Sequence, residues 1–205
     1  MRLGLMGGTF DPIHNGHLKV ARAAAGLGLD RVALVPARLP PHKDRVDLAD
    51  PFHRFAMSAL ATIGDDRLCV SACEVAREGP SYTIETVRSF IEDGMDVTLI
   101  MGSDSLAEIE TWRDCHELLD LVQVIVYPRA PMLAAQLEQR LPDWVMRLWK
   151  GGAIVYLDGS IDETSSTVIR SLLREGRPAV GLLPAEVARY ISKHRLYVEG
   201  TGGRI

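Results

Sequence analysis

Short apolar runs alternate along this chain with longer stretches in which apolar residues recur at helical spacing. The runs at Leu3 to Met6, Val32 to Pro36, Leu68 to Ser71, Val97 to Met101, Val122 to Tyr127 and Ala153 to Leu157 predict strands. Between and after them, helical periodicity predicts helices over Gly16 to Leu27, Pro51 to Ile63, Thr83 to Asp93, Asp114 to Leu121, Pro131 to Leu141, Ser165 to Arg174 and Pro184 to Lys193. Such alternation implies an α/β architecture, a doubly wound parallel sheet with helices on both faces. Ligands in sheets of this kind bind beyond the carboxyl ends of the strands, and His14, the Pro40-Pro41-His42-Lys43 loop, Asp104 and Arg129 all follow predicted strands. The stretch Leu141 to Gly152, with Trp144 and Trp149, fits a helix packing on the core better than a lid. No repeat or low-complexity segment is visible. The glycine-rich tail 199–205 is expected to be disordered, which leaves 1–198 as one domain.

Directly behind the first predicted strand stands Gly7-Gly8-Thr9-Phe10-Asp11-Pro12-Ile13-His14-Asn15-Gly16-His17. Two glycines permit backbone angles that residues with a Cβ resist, so the turn can approach a ligand closely. From about Gly16, residues Leu18, Val20, Ala21, Ala24 and Ala25 recur at helical spacing, so a helix N-terminus opens after the turn and offers N–H groups to an anion. Taken alone, His14 and His17 fit one capping histidine and one solvated one equally well. A zinc pair is disfavoured, because histidine ligands on a helix more often stand four apart and no Cys or Glu nearby completes a set. The whole block, strand then Gly-Gly-Thr then His-x-Gly-His then helix, favours a phosphate site.

Composition narrows the class without changing that picture. At 205 residues the chain suits one domain with a sizeable core, and two small lobes are compatible with the length. The absence of a long apolar run and of a charged-then-apolar leader argues against a membrane span and against secretion, so a cytoplasmic protein is expected. Cys69, Cys73 and Cys115 are odd in number and read as buried free thiols. A net charge of −4, with scattered Arg and Lys, argues against nucleic acid as partner. A small nucleotide held locally needs no overall positive charge. Self-association into a homo-oligomer is compatible with the sequence.

The block Gly7 to His17 resembles the signature of the nucleotidyltransferase superfamily, with its His-x-Gly-His motif, and in its longer form it is similar to that of the bacterial nicotinate-nucleotide adenylyltransferases. Four further segments match in order: Pro40-Pro41-His42-Lys43, Pro80-Ser81-Tyr82-Thr83, Gly102-Ser103-Asp104 with Trp112 beyond it, and Ser165-Ser166-Thr167-Val168-Ile169-Arg170. Thr164 departs from the isoleucine usual before the Ser-Ser-Thr run. The resemblance implies a Rossmann-like nucleotidyltransferase fold. It implies transfer of AMP from ATP to nicotinate mononucleotide, giving deamido-NAD and pyrophosphate in NAD biosynthesis, with Mg²⁺ accompanying ATP.

Adenylyl transfer of this kind asks for little acid–base chemistry, because a phosphate monoester with a second pKa of about 6 is already largely ionised at neutral pH. It asks instead for positioning of two anions and for fixed donors to the developing charge, a role that suits His14 and His17. Backbone at Gly8, Thr9 and Phe10 would hold the α-phosphate, with the Thr9 hydroxyl either assisting or capping the turn. Ser165, Ser166 and Thr167 look like a plain helix N-cap. The resemblance makes them a second phosphate site, with Arg170 as the cation on the leaving pyrophosphate. Lys43 would neutralise phosphate or simply be solvated. In the family, the nicotinate carboxylate meets N–H groups beside the Pro-Ser-Tyr-Thr segment and an aromatic ring covers the pyridine. That assigns Tyr82, Thr83 and Trp112, whose alternatives are an ordinary helix start and a core tryptophan. Gly102 and Asp104 would meet the adenosine ribose, unless Asp104 caps the next helix beside a capping box of Ser105 and Glu108.

Rivals exist inside the superfamily, with nicotinamide mononucleotide, phosphopantetheine or a phosphorylated alcohol as acceptor. A dinucleotide-dependent dehydrogenase lacks its G-x-G-x-x-G spacing here, and intact His14, His17 and Arg170 speak against a silent regulator.

Overall fold

Strands buried on both faces carry near-continuous apolar runs, and the six runs form six strands of one parallel sheet. They are β1 (Arg2–Gly8), β2 (Arg31–Pro36), β3 (Leu68–Val70), β4 (Asp96–Gly102), β5 (Gln123–Tyr127) and β6 (Ile154–Tyr156), in the spatial order β3-β2-β1-β4-β5-β6. The computed structural model describes residues 1–40, 48–129, 134–157 and 164–198. Lys43, the start of the helix expected from Pro131 and the tail 199–205 lie outside the described residues.

Helices α1 (Asn15–Ala25), α2 (Pro51–Thr62), α3 (Cys73–Ala76), α4 (Thr83–Glu92), α5 (Ser103–Ala107), α6 (Cys115–Leu121), α7 (Ala134–Glu138), α8 (Asp143–Lys150), α9 (Ser166–Arg174) and α10 (Ala185–His194) complete the chain, with a 3₁₀ turn at Ile109–Thr111. No helix among the described residues is long and apolar enough to cross a membrane.

Alternation along each strand divides the interior in two. Leu3 and Leu5 of β1, Val97, Leu99 and Met101 of β4, and Val124 and Val126 of β5 pack with α4, α6, α7 and α8 through Val87, Leu118, Leu137 and Val145. Met6, Ile100 and Ile125, pointing the opposite way, pack with Ala21 of α1, Met57 of α2, Ile169 of α9 and Val187 of α10. The stretch after Leu141 is the helix α8 and not a lid. The Trp144 ring lies against His116 with centroids 4.0 Å apart, and Trp149 faces Tyr156 at 5.8 Å.

The order of strands reverses between β1 and β4, whose loops therefore leave in opposite directions and open a crevice at their carboxyl ends. That crevice holds the candidate site.

Candidate active site

The loop that carries the His-x-Gly-His block begins where β1 ends. β1 runs through both glycines, and neither Gly7 nor Gly8 takes a left-handed angle, so the expected glycine turn is corrected to a strand end. The left-handed residue is Phe10, with φ of 47°. Its ring is buried against Gly8, where an added Cβ would sit 2.9 Å from the ring, so glycine is required there for space.

The first turn of α1 is also more self-contained than its sequence suggests. His14 and His17 cap each other: His14 N donates to His17 Nδ1 at 3.3 Å, and His17 N donates to His14 Nδ1 at 3.4 Å. Asn15 N is taken by the Leu182 carbonyl at 2.9 Å. These three donors are not available to an anion, so the α1 terminus is less open than expected. The same bonds select the tautomer, because a ring nitrogen that accepts carries no proton and a neutral ring then bears it on Nε2. The rings stack at 3.7 Å, His17 lines the crevice edge-on to Phe10, and His14 lies buried behind it.

Opposite His17, α9 points its N-terminus into the crevice. The Ser165 hydroxyl accepts from Val168 N at 3.2 Å, and the Ser166 hydroxyl donates to the Pro12 carbonyl at 3.0 Å. The Ser166 hydroxyl thus gives its proton to the fold, while the Ser165 hydroxyl accepts a cap bond and keeps its own O–H. Arg170 donates to the Asp11 carbonyl at 2.7 Å and to the Thr167 hydroxyl at 3.4 Å.

Asp11, not singled out from the sequence, anchors this end. It is 2% exposed, its Oδ1 accepts from the Tyr197 hydroxyl at 2.6 Å and from Ala49 N at 3.2 Å, and its Oδ2 is buried without a hydrogen-bond partner. Burial pushes its carboxyl above the usual range, against the pull of Tyr197, Arg170 and Arg54. Arg54 is buried within α2 and donates to the carbonyls of Thr9, Ala37, Arg38 and Ala49, tying the loops after β1 and β2 together. The sequence did carry a signal for it. Arg54, Met57, Ser58 and Ala61 share the buried face of α2, where a charge must have partners.

The far end of the crevice is built by α4. No side chain caps this helix, whose N-terminal Tyr82 and Thr83 line the crevice with Trp112. The Arg113 guanidinium lies 4.7 Å from the centre of the Tyr82 ring and pairs with Glu85 at 3.0 Å. Glu74 of α3 lines the same end, nearly buried, and accepts from the Thr86 hydroxyl at 2.6 Å. Burial raises its carboxyl above the usual range. Between the two ends, Asp104 Oδ2 accepts from Arg129 at 3.2 Å, while Oδ1 is buried without a partner over Gly102. A Cβ on Gly102 would fall 2.3 Å from that oxygen. Ser105 lies inside α5, which no side chain caps, so the alternative of a box with Glu108 does not form.

One crevice of about 930 Å³ thus brings together Gly8, Thr9, Phe10, His17, Gly102 and Asp104. The same crevice is lined by Ser165, Ser166, Thr167 and Arg170 on one side and by Tyr82, Thr83 and Trp112 on the other.

The cytidylyltransferase-like family matches residues 5–172 of the chain. A protein of Neisseria meningitidis serogroup C named "Probable nicotinate-nucleotide adenylyltransferase" is 41% identical over 199 residues, covering 96% of this chain and 98% of its own. Another of that name, from a Thermoanaerobacter species, is 39% identical over 201 residues, covering 96% and 94%. The solved structure "Plasmodium falciparum nicotinic acid mononucleotide adenylyltransferase complexed with NaAD" superposes with a TM-score of 0.74. It is 18% identical, covers 96% of this chain and 97% of that one, and shares the fold.

Proposed function

The chain belongs to the cytidylyltransferase-like family and, within it, to the nicotinate-nucleotide adenylyltransferases, and from this we propose how its crevice carries out the transfer. The enzyme joins the AMP unit of ATP to nicotinate mononucleotide, giving deamido-NAD and pyrophosphate in NAD biosynthesis. A phosphate oxygen of the mononucleotide forms a bond to the α-phosphorus as the bond to the bridging oxygen breaks, and pyrophosphate departs with the electron pair. The attacking phosphate is already ionised, so no general base is required.

The observation that carries the site assignment is the meeting of His17, the α9 N-terminus and the uncapped α4 N-terminus in one crevice. His17 would donate from Nε2 to the oxygens of the α-phosphate, and His14, stacked behind it, would hold that ring in place. Arg170 and the first turn of α9 would receive the β- and γ-phosphates. Asp104 Oδ1 is the free acceptor for a ribose hydroxyl. At the other end the nicotinate carboxylate would meet the α4 N-terminus, which favours it over a neutral amide by about 0.3–1 kcal/mol, or about 2 where partly buried. Trp112 would cover the ring. Lys43 stays a proposal for phosphate neutralisation.

Nucleotide chemistry of this class generally draws on a divalent metal. Among the described residues no group of three His, Cys, Asp or Glu side chains stands close enough to hold one. Mg²⁺ carried by the triphosphate, which asks one or two oxygens of the protein at most, fits this site.

The test is pyrophosphate release with Mg-ATP and either nicotinate or nicotinamide mononucleotide. A preference for the acid of about 100-fold, or roughly 2.7 kcal/mol at the transition state, is expected. Equal use of both would remove the carboxylate site at Tyr82 and Thr83.

A further inference from the structure

The segment after α10 reaches back across the molecule to the catalytic loop. Leu196 is buried, and Tyr197, partly buried, holds a left-handed φ of 64° that bulky residues rarely adopt. Its hydroxyl donates to Asp11 Oδ1 at 2.6 Å across 186 residues of chain. A second tie runs nearby, where Asn15 is held by the carbonyls of Gly181 and Leu182. Tyr197 lies beyond the residues that the family matches, so that match assigns it no role.

The geometry at Asp11 gives the contact a consequence. Tyr197 and Ala49 N together occupy Oδ1, which fixes the rotation of the carboxylate and leaves Oδ2 turned toward Arg170, 3.9 Å from the guanidinium. Arg170 Nε is buried with no hydrogen-bond partner. A close pair between Arg170 and Asp11 would have to break before a phosphate could bind. A carboxylate pinned just out of contact orients the guanidinium and leaves for the anion those of its donors that the Asp11 carbonyl and the Thr167 hydroxyl do not take. We propose that Tyr197 is a positioning residue for adenylyl transfer, whose hydroxyl fixes the Asp11 carboxylate so that Arg170 is held ready for the leaving pyrophosphate. This rests on the assignment of Arg170 to pyrophosphate.

Four groups govern Asp11: the Tyr197 phenol, the Arg170 cation, the Ala49 N–H and the Arg54 cation all favour its ionised form against burial. The phenol, buried beside a carboxylate, is held far above its ordinary range and stays a donor throughout the working pH.

The test is Tyr197→Phe in the full chain, which keeps the ring and removes the hydroxyl. With Mg-ATP and nicotinate mononucleotide, kcat for pyrophosphate release should fall about tenfold, the scale of a lost hydrogen bond to a charged group. KM for the mononucleotide should stay within about twofold. The acid limb of the kcat profile should move to higher pH, since Asp11 loses a group that favours its ionised form. Added to Arg170→Ala, the substitution should cost little more, because both act through one guanidinium.

Unchanged kcat and an unmoved acid limb, or losses that multiply with Arg170→Ala, would overturn the proposal. Should Tyr197→Phe fail to fold, Asp11→Asn keeps an acceptor for Tyr197 and removes the charge. It should lower kcat similarly and remove the Asp11 contribution to the acid limb, leaving that of the attacking phosphate, and an Asp11→Asn enzyme with normal kcat would equally overturn the proposal. A normal Arg170→Ala enzyme would place the fault in the assignment of Arg170, and the proposal falls with it. A slow Arg170→Ala beside a normal Tyr197→Phe would sink the Tyr197 role alone.

Discussion

The two histidines of the His-x-Gly-His block divide labour in a way their spacing does not reveal. His17 faces the crevice, while His14 is buried and supplies the helix cap. Replacing His17 by Ala should reduce turnover by about 10²–10³, the usual effect of removing one donor to a developing oxyanion. His14→Ala should lose turnover on the same scale and also destabilise the fold by about 1 kcal/mol through the lost cap. His14→Asn separates the two effects, since asparagine caps well: thermal melting should recover while kcat for pyrophosphate release stays low. Recovery of both would reduce His14 to a cap. At this scale the sequence exposed residues whose chemistry lies in one local motif, and it hid those that act across the fold. Asp11 sits inside the quoted block yet shows its role only through Tyr197 and Arg170, which reach it from 186 and 159 residues away.

In the proposed reading, helix termini divide the crevice into a phosphate end and a carboxylate end. The α4 terminus can be tested without breaking the helix, because proline is well tolerated at the first helical position and removes one N–H there. Tyr82, with φ of −90° and ψ of 125°, already has the extended backbone that a following proline demands. Thr83→Pro should therefore fold, raise KM for nicotinate mononucleotide about tenfold and shrink the preference for acid over amide. Thr83→Ala, which removes only the side chain, should keep that preference, and the same loss in both variants would mean that the hydroxyl and not the backbone meets the carboxylate. All six strands were legible, because a parallel sheet covered on both faces leaves an unmistakable apolar run. The α3 and α5 helices and the 3₁₀ turn were not, being too short to show a helical period. What also escaped was the loss of the first α1 donor to Leu182, which approaches it only once the chain is folded.

For the molecule as a whole, the crevice at the strand-order reversal brings buried charge with it. Asp11 at one end and Glu74 at the other both sit where burial pushes a carboxyl above its usual range. A carboxyl raised on folding binds its proton more tightly in the folded state, so it penalises folding once ionised. The penalty is absent below the unfolded value of 4.5 for Glu74 and grows as pH rises through the folded one. Glu74→Gln keeps the shape and an oxygen to accept from Thr86 but cannot ionise. It should melt higher than the parent enzyme at about pH 7.5, and the gap should close as pH falls toward about 4.5. A gap that widens on acidification would mean that the hydroxyls of Thr86 and Ser81, together with Arg77, outweigh burial and favour the ionised Glu74. A gap indifferent to pH would mean that Glu74 does not titrate differently in the folded chain, and the carboxylate end of the crevice would then be wetter than its packing implies.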